Sequence, residues 1–171
     1  MGGAYIASNN GLSVIWTDPV PSPLPSGSLD MGTAWPDAAM LGAAFPGYPA
    51  ASAAAAAAGQ ALAKLDAAIA KGAVITSTSA PPLNGTYSIT KSSQSDIQAQ
   101  QVSILTRNVF TNGQTSRVWY DMVGTGHTFS TTQFTAFAEA VAPLVDEIMI
   151  AYEVELGGSV GSWPSNALTI A

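Results

Sequence analysis

One histidine lies near a carboxylate and a hydroxyl in the sequence, and these are the three groups that a serine hydrolase uses. His127 follows Asp121 by six residues and precedes Ser130 by three. In such an enzyme the histidine takes the serine proton, and the carboxylate orients the imidazole. The serine must also stand exposed in a sharp turn flanked by glycines, and Ser130 lacks those flanking glycines. We therefore interpret His127 as a structural residue at a turn or a helix start.

Carboxylates recur along the last predicted helix, where a pair of them could carry out acid–base chemistry or bind a metal ion. Glu139, Asp146 and Glu153 are seven residues apart, so they share one helix face opposite an apolar stripe, as a solvated surface does. A metal site needs further ligands, but the chain has one His and no Cys. An enzyme acting on cell-wall sugars would need paired acids in a recognisable context. The sequence therefore predicts no enzyme, no catalytic residue, no metal ion and no cofactor.

Low charge is the strongest feature of the composition. Only 9% of residues are charged and the net charge is −6, whereas about a quarter of residues are charged in an average domain. Nucleic-acid affinity depends mainly on contacts between phosphates and cationic side chains, and the five cations here are dispersed. The longest run of low polarity, residues 50–63, is mostly alanine and too weakly apolar to span a bilayer. We therefore expect neither nucleic-acid binding nor membrane insertion.

Residues 1–49 read as an extended, proline-rich arm with one hairpin. Two short strands are predicted at 4–8 and 12–17, because Asn9-Asn10-Gly11 between them favours a tight turn. Prolines then stand at every second position from Pro19 to Pro25, which excludes a helix. Large apolar side chains follow with few neighbours able to enclose them. We expect this arm to pack on a neighbouring molecule, and the alternative is an arm folded back on its own domain.

Residues 50–83 read as an alanine-rich helix followed by a linker. Leu62, Leu65 and Ile69 recur at spacings of three and four, which places them on one helix face. Gly72 suits the position just after the helix. Residues 73–83 are rich in Ser, Thr and Pro, which predicts a loop. We expect an ordinary linker helix, and the alternatives are a helix that packs closely on its own domain or in a symmetric bundle of several copies.

Residues 84–158 read as a compact domain of the α+β class, in which a small antiparallel sheet packs on two helices. Strands are predicted at 86–90, 116–122 and 127–129. In the first strand Tyr87 and Ile89 point inward, and in the second Trp119 lies on the opposite face from Val118 and Tyr120. Residues 159–171 read as an extended tail.

The two helices of this domain are predicted from capping residues and apolar spacing. Ser93 is the predicted N-cap of the first helix, and Asn112-Gly113 is its predicted end. The second helix begins after Ser130 or Thr131, contains Pro143 and ends at Gly157. Its apolar residues recur every three or four positions and form one stripe: Phe134, Phe137, Val141, Leu144, Ile148 and Tyr152.

The order of these elements resembles a known family over about residues 84–156. The features that carry the resemblance are the Gly85-Thr86-Tyr87 strand, a glutamine-rich helix, the Val118-Trp119-Tyr120-Asp121 strand, a glycine-rich turn, His127-Thr128-Phe129 and a long helix. The family is an uncharacterised domain of phage and prophage tail proteins, found near tail-fibre or tail-fibre-assembly genes. The resemblance implies a virion protein of the tail and carries no catalytic residue.

Large apolar residues outside the predicted domain are the candidate interaction residues. Aromatic anchors are enriched where subunits pack, although exposed tryptophans could instead stack on sugars. We expect a structural subunit of a phage tail (tail tip, baseplate or fibre attachment) that forms homo-oligomers and contacts other phage tail proteins; a host surface receptor is left open. The alternative is a tail-fibre assembly chaperone that is not retained in the virion. The candidate interaction residues are Trp16, Trp35, Phe45, Tyr48, Leu62, Leu65, Ile69 and Trp163.

Overall fold

Helices and short strands alternate along the chain, which confirms the predicted α+β class. The computed structural model describes residues 4–9, 11–17, 19–33 and 35–171, without the side chains of Trp16 and Pro81. The chain divides into two compact units, residues 1–59 and 60–171.

The first unit contains a three-stranded antiparallel sheet and a short helix. β1 (Ala4–Ser8) pairs with β2 (Ser13–Thr17) and with β3 (Leu29–Asp30), in the order β2-β1-β3. The connection between β1 and β2 uses left-handed backbone, with φ of 52° at Asn9 and 81° at Gly11. Both residue types tolerate that conformation, and the predicted hairpin is confirmed; Asn10 itself lies outside the described residues.

A helix covers this sheet and gives the first unit a small core of its own. α1 (Ala38–Ala44) begins after Asp37, whose carboxylate accepts a hydrogen bond from the Met40 N–H at 2.8 Å. Ala7, Leu41 and Phe45 form the buried cluster. The prediction of an extended, proline-rich arm with one hairpin did not include α1, and the hairpin and α1 together enclose part of the apolar material.

The alanine-rich segment forms a long helix, as predicted. α2 (Tyr48–Lys71) ends at Gly72, whose φ of 68° lies in the left-handed region that glycine enters without strain.

The second unit contains a mixed sheet that the sequence did not indicate. β4 (Ala73–Ser77) pairs antiparallel with β5 (Gly85–Tyr87) and parallel with β8 (Ala167–Ile170). The loop predicted at 73–83 is therefore wrong for its first five residues, which form β4 with alternating burial; a 3-10 turn follows at Pro81–Leu83. The tail predicted at 159–171 contributes β8 to the same sheet.

A separate hairpin and two helices complete the second unit. β6 (Ser116–Tyr120) pairs antiparallel with β7 (Gly126–Ser130). α3 (Lys91–Arg107) is capped by Thr90 and ends at Asn108, with φ of 57°, so the predicted cap at Ser93 and the predicted end at Asn112-Gly113 are wrong. α4 (Thr131–Leu156) begins with a capping box between Ser130 and Gln133 and contains Pro143.

An aromatic core joins the hairpin to α4. The predicted apolar stripe is confirmed in large part, since Phe134, Phe137, Val141, Leu144 and Ile148 are all buried. Tyr87 and Ile89 are fully buried, as predicted. Several rings pack edge to face with centroids 5–6 Å apart, a favourable arrangement for aromatic pairs: Tyr87, Phe110, Trp119, Phe129, Phe134 and Phe137.

Candidate functional site

His127 lies on β7 and is buried, with 7% of its surface exposed. Its Nε2 is 3.2 Å from Asp121 Oδ2, and its Nδ1 is hydrogen-bonded to the Pro82 carbonyl. The ring also packs edge to face on Tyr87, with centroids 5.5 Å apart. The β6–β7 hairpin, the 3-10 turn and β5 therefore all contact the imidazole of His127.

The turn between β6 and β7 positions the carboxylate of Asp121. Its Oδ1 accepts hydrogen bonds from the N–H groups of Val123 (3.1 Å) and Thr125 (2.7 Å). The Asp121 N–H donates to the Thr125 carbonyl at 3.0 Å, and Gly124 supplies the positive φ of 85° that the turn needs. With Oδ1 held by the turn, Oδ2 faces His127.

The absence of a side chain at Gly85 permits this close packing. A Cβ at Gly85 would lie 3.2 Å from His127 Nε2 and 3.3 Å from Asp121 Oδ2. The histidine and the carboxylate therefore lie directly against the β5 backbone, in a space that excludes most solvent.

Both nitrogens of His127 face oxygen acceptors. A carbonyl oxygen only accepts, so Nδ1 must carry a proton to bond Pro82; an ionised carboxylate only accepts, so Nε2 must carry one to bond Asp121. A neutral ring makes one of the two bonds, and an imidazolium makes both. Both ring nitrogens are therefore engaged by oxygen atoms of the protein.

The surroundings shift the acidity of two neighbouring groups. Burial raises the pKa of Asp121. Hydrogen bonds from Thr125, His127 and Val123 lower it by more than burial raises it, so the net pKa lies below its ordinary value of 3.8. Burial, and then the negative charge of Asp121, raise the pKa of Tyr87 well above its ordinary value. The Tyr87 hydroxyl donates to the Leu83 carbonyl at 2.7 Å, so it remains a neutral donor.

This arrangement lacks the geometry of a hydrolase. A catalytic histidine needs one free nitrogen to accept the nucleophile's proton, and both nitrogens of His127 bond protein oxygens. The Ser130 hydroxyl caps α4, where it accepts a hydrogen bond from the Gln133 N–H at 3.3 Å. The interpretation of His127 as a residue that stabilises a turn fits these contacts.

A glycine–serine pattern that the sequence interpretation overlooked does not change this conclusion. Residues 157–161 have the spacing Gly-x-Ser-x-Gly. In hydrolases that pattern forms a sharp turn from a strand into a helix. Here it follows the end of α4, and the Ser159 N–H donates to the Val154 carbonyl at 3.1 Å to close the helix.

We expect Asp121→Asn to lower stability at neutral pH and to flatten the acid side of the stability profile. The pKa of Asp121 in the folded protein lies below its ordinary value. The carboxylate therefore stabilises the fold above pH about 3.8, and this stabilisation is lost as the pH falls through the folded-state pKa. The melting temperature measured from neutral to strongly acid pH tests this. Asp96→Asn, at an exposed position on α3, is the control; equal acid slopes for wild type and Asp121→Asn would contradict the prediction.

The acidic stripe predicted on α4 does not form a metal site among the described residues. Glu139, Asp146 and Glu153 are exposed, as the solvated-face interpretation expects. Within the parts of the chain that the structure describes, no group of three or more His, Cys, Asp or Glu is placed to hold a metal ion.

The predicted interaction residues differ in how far their own unit buries them. Trp35 and Leu62 are exposed, at 64% and 49%. Phe45 is only 8% exposed in the core of the first unit, so its prediction as an interaction anchor is corrected: its own unit encloses it. The side chain of Trp16 lies outside the described residues. The remaining four are partly buried against the core of their own unit: Tyr48, Leu65, Ile69 and Trp163.

Two features were missed at the level of sequence. Val118 and Tyr120 are 46% and 66% exposed, so an apolar strand face points outward; their alternation with Trp119 was the signal, but it does not say which face is buried. Glu155, near the end of α4, accepts hydrogen bonds from the Lys64 ammonium at 2.7 Å and from the Trp163 indole N–H at 2.9 Å. Lys64 and Glu155 are 91 residues apart, and no periodic signal links residues at that separation in the chain.

Comparisons of the chain with protein-family models, with curated proteins and with solved structures found no match. Among the described residues, none of the helices has the length and apolar character needed to span a membrane.

Proposed function

We propose that this chain is a structural subunit of a bacteriophage tail, which functions in the virion by packing against other tail proteins and against copies of itself. The resemblance of residues 84–156 to a phage-tail domain family supports the proposal. The contacts of His127, which leave neither nitrogen free to act as a base, favour a structural role for this domain over a hydrolytic one. The observation that carries the proposal is an exposed apolar face on the β6–β7 hairpin.

This outer face consists of Val118 and Tyr120 on β6 with Gly126 and Thr128 opposite them on β7. A Cβ at Gly126 would lie 2.9 Å from Val118 Cγ1 and 3.3 Å from Tyr120 Cε1, so both side chains lie over the glycine. The turn beyond it exposes Val123 at 86%. Contiguous exposed apolar groups of this kind are typical of surfaces that other proteins cover.

The low charge of the chain suits permanent packing. A surface poor in Lys, Arg, Asp and Glu loses little charge solvation when a neighbour covers it. Exposed aromatic residues such as Tyr120 and Trp35 are of the type that anchors interfaces. Other tail subunits and further copies are therefore the proposed partners, and a host surface receptor is a further candidate partner for the exposed Trp35.

We expect the outer face to support self-association of the purified chain. Val118→Thr with Tyr120→Ser removes its apolar groups from exposed positions, so the chain should keep its far-ultraviolet circular dichroism spectrum while the oligomer dissociates. Sedimentation velocity over a range of concentrations measures this. Val160→Ser, at a position that is 93% exposed outside this face, is the control and should leave the oligomer intact.

A fibre-assembly chaperone is the second candidate, and purified particles separate the two. A structural subunit is present at a fixed ratio to the major tail proteins in mature particles, as quantified by mass spectrometry. A chaperone is present in infected or induced cells but absent from the particles. A wild-type chain that stays monomeric at every concentration and is absent from particles would overturn the structural proposal.

A further inference from the structure

A small cavity of the second unit lies between α2, α4 and the segment that leads into β8. Its volume is about 280 Å³, at the lower end of the range for ligand sites, which fits a small ligand rather than a drug-sized one. Lys64 and Lys71 lie on its α2 side, seven residues apart on one helix face. Alanines at 67 and 68 between them leave room, and Ile148 of α4 contributes apolar surface.

The third wall of the cavity carries an aromatic ring and polar groups. Trp163, Ser165 and Asn166 line it together with Pro164. The side-chain NH2 group of Asn166 donates to the Gly72 carbonyl at 3.3 Å, so the side-chain oxygen Oδ1 of Asn166 remains available as an acceptor. A partly buried indole beside a hydroxyl and an amide suits a ligand that has an apolar face and several hydroxyl groups.

Glu155 holds two of these walls in place before any ligand arrives. Its side chain is 9% exposed, and one oxygen accepts both the Lys64 ammonium at 2.7 Å and the Trp163 indole N–H at 2.9 Å. The hydrogen bond from Lys64, followed by that from Trp163, lowers the pKa of Glu155 below its ordinary value, so the carboxylate stays ionised. A wall fixed in this way costs little ordering on binding.

Lys71 supplies the charge that remains after this pairing. Lys64 is neutralised by Glu155, and none of the side-chain hydrogen bonds or ion pairs among the described residues uses the Lys71 ammonium. The chain has only five cations against eleven acids, yet two of the five line this one cavity. The cavity is therefore a locally cationic site in an acidic protein.

We propose that this cavity binds a small acidic sugar, whose ring packs on Trp163 and whose carboxylate pairs with Lys71. Ser165 and Asn166 bond the hydroxyl groups. This site does not depend on the proposed structural function, because it lies on α2, α4 and the segment before β8, whereas the outer face lies on the β6–β7 hairpin.

Titration of the full ¹⁵N-labelled chain with D-glucuronate tests the proposal. D-glucose is the uncharged match, and inorganic phosphate is an anion without a ring. The indole N–H signal of Trp163, identified by its loss in Trp163→Phe, should shift saturably with a Kd on the order of 1 mM. Lys71→Gln should weaken binding at least about tenfold, Lys71→Arg should retain it, and Lys91→Gln on α3 should leave it unchanged.

Each other outcome overturns the proposal. These outcomes are no saturable shift with glucuronate, an equal response to glucose or to phosphate, or equal affinities of the Lys71→Gln and Lys91→Gln variants. Far-ultraviolet circular dichroism of each variant verifies that the fold is retained. Because Lys71 is exposed at the last position of α2, its replacement leaves the core intact.

Discussion

Replacement of Phe134 by alanine should lower the free energy of unfolding of the second unit by about 3–5 kcal/mol. Phe134 is fully buried in the first turn of α4. Its ring contacts Trp119 at 5.1 Å, Phe110 at 5.3 Å and Phe129 at 5.8 Å between centroids. The neighbouring rings belong to different elements, so they cannot collapse into the cavity without moving strands. The loss is a large part of the 5–15 kcal/mol that is typical of a domain.

Urea denaturation followed by circular dichroism measures this loss. Leu105→Ala is the matched control, because Leu105 is also a large apolar residue on a helix but is 69% exposed. Its replacement should change the free energy of unfolding by less than about 0.5 kcal/mol. A loss below about 1 kcal/mol for Phe134→Ala would show that the aromatic cluster does not hold α4 to the hairpin.

The sequence was most informative where structure is local. The spacing of Phe134, Phe137 and Val141 predicted both the last helix and its buried face, because a helix repeats every 3.6 residues. The Asn9 to Gly11 turn was equally readable, since few residues accept left-handed backbone. The cap of α4 is Ser130, one of the two residues predicted, whereas α3 is capped by Thr90 rather than by the predicted Ser93, because neighbouring Ser and Thr residues compete for the same role.

Pairing between distant segments could not be read in this way. β4 finds its partner β8 more than 90 residues later, as in the pair of Val74 with Ala167. The five residues of β4 alternate in burial, but a short polar strand is hard to distinguish from a loop until its partner is known. The small core of Ala7, Leu41 and Phe45 was missed for the same reason, since these residues are distant in the chain.

The candidate sites show the same limit. His127 and Asp121 were recognised as neighbours in sequence, but the Pro82 carbonyl that occupies the second nitrogen lies 45 residues away. With that contact, neither ring nitrogen remains free to accept a proton from a nucleophile. The cavity at Lys71 and Trp163 likewise joins residues that are more than 90 positions apart, and only the fold brings them together.

Gly72→Ala should destabilise the second unit by at least about 2 kcal/mol. The φ of 68° disfavours any residue that has a Cβ. A Cβ there would lie 2.6 Å from the Tyr87 carbonyl oxygen and 2.6 Å from Met122 Sδ. The methionine can move, but the carbonyl is backbone in β5, which the pairing of Tyr87 with Ala73 fixes. The helix end and the first strand pair therefore cannot both keep their geometry.

Gly59→Ala is the matched substitution with the opposite expected sign. Gly59 lies inside α2, and a methyl group added there would meet nothing within 4 Å. Alanine is favoured over glycine in a helix interior by about 1 kcal/mol. Thermal melts of the two variants should therefore move in opposite directions, down for Gly72→Ala and up for Gly59→Ala. If both variants melt at the wild-type temperature, the left-handed backbone at Gly72 does not fix β4 against β5. The aromatic core alone would then account for the packing at Tyr87.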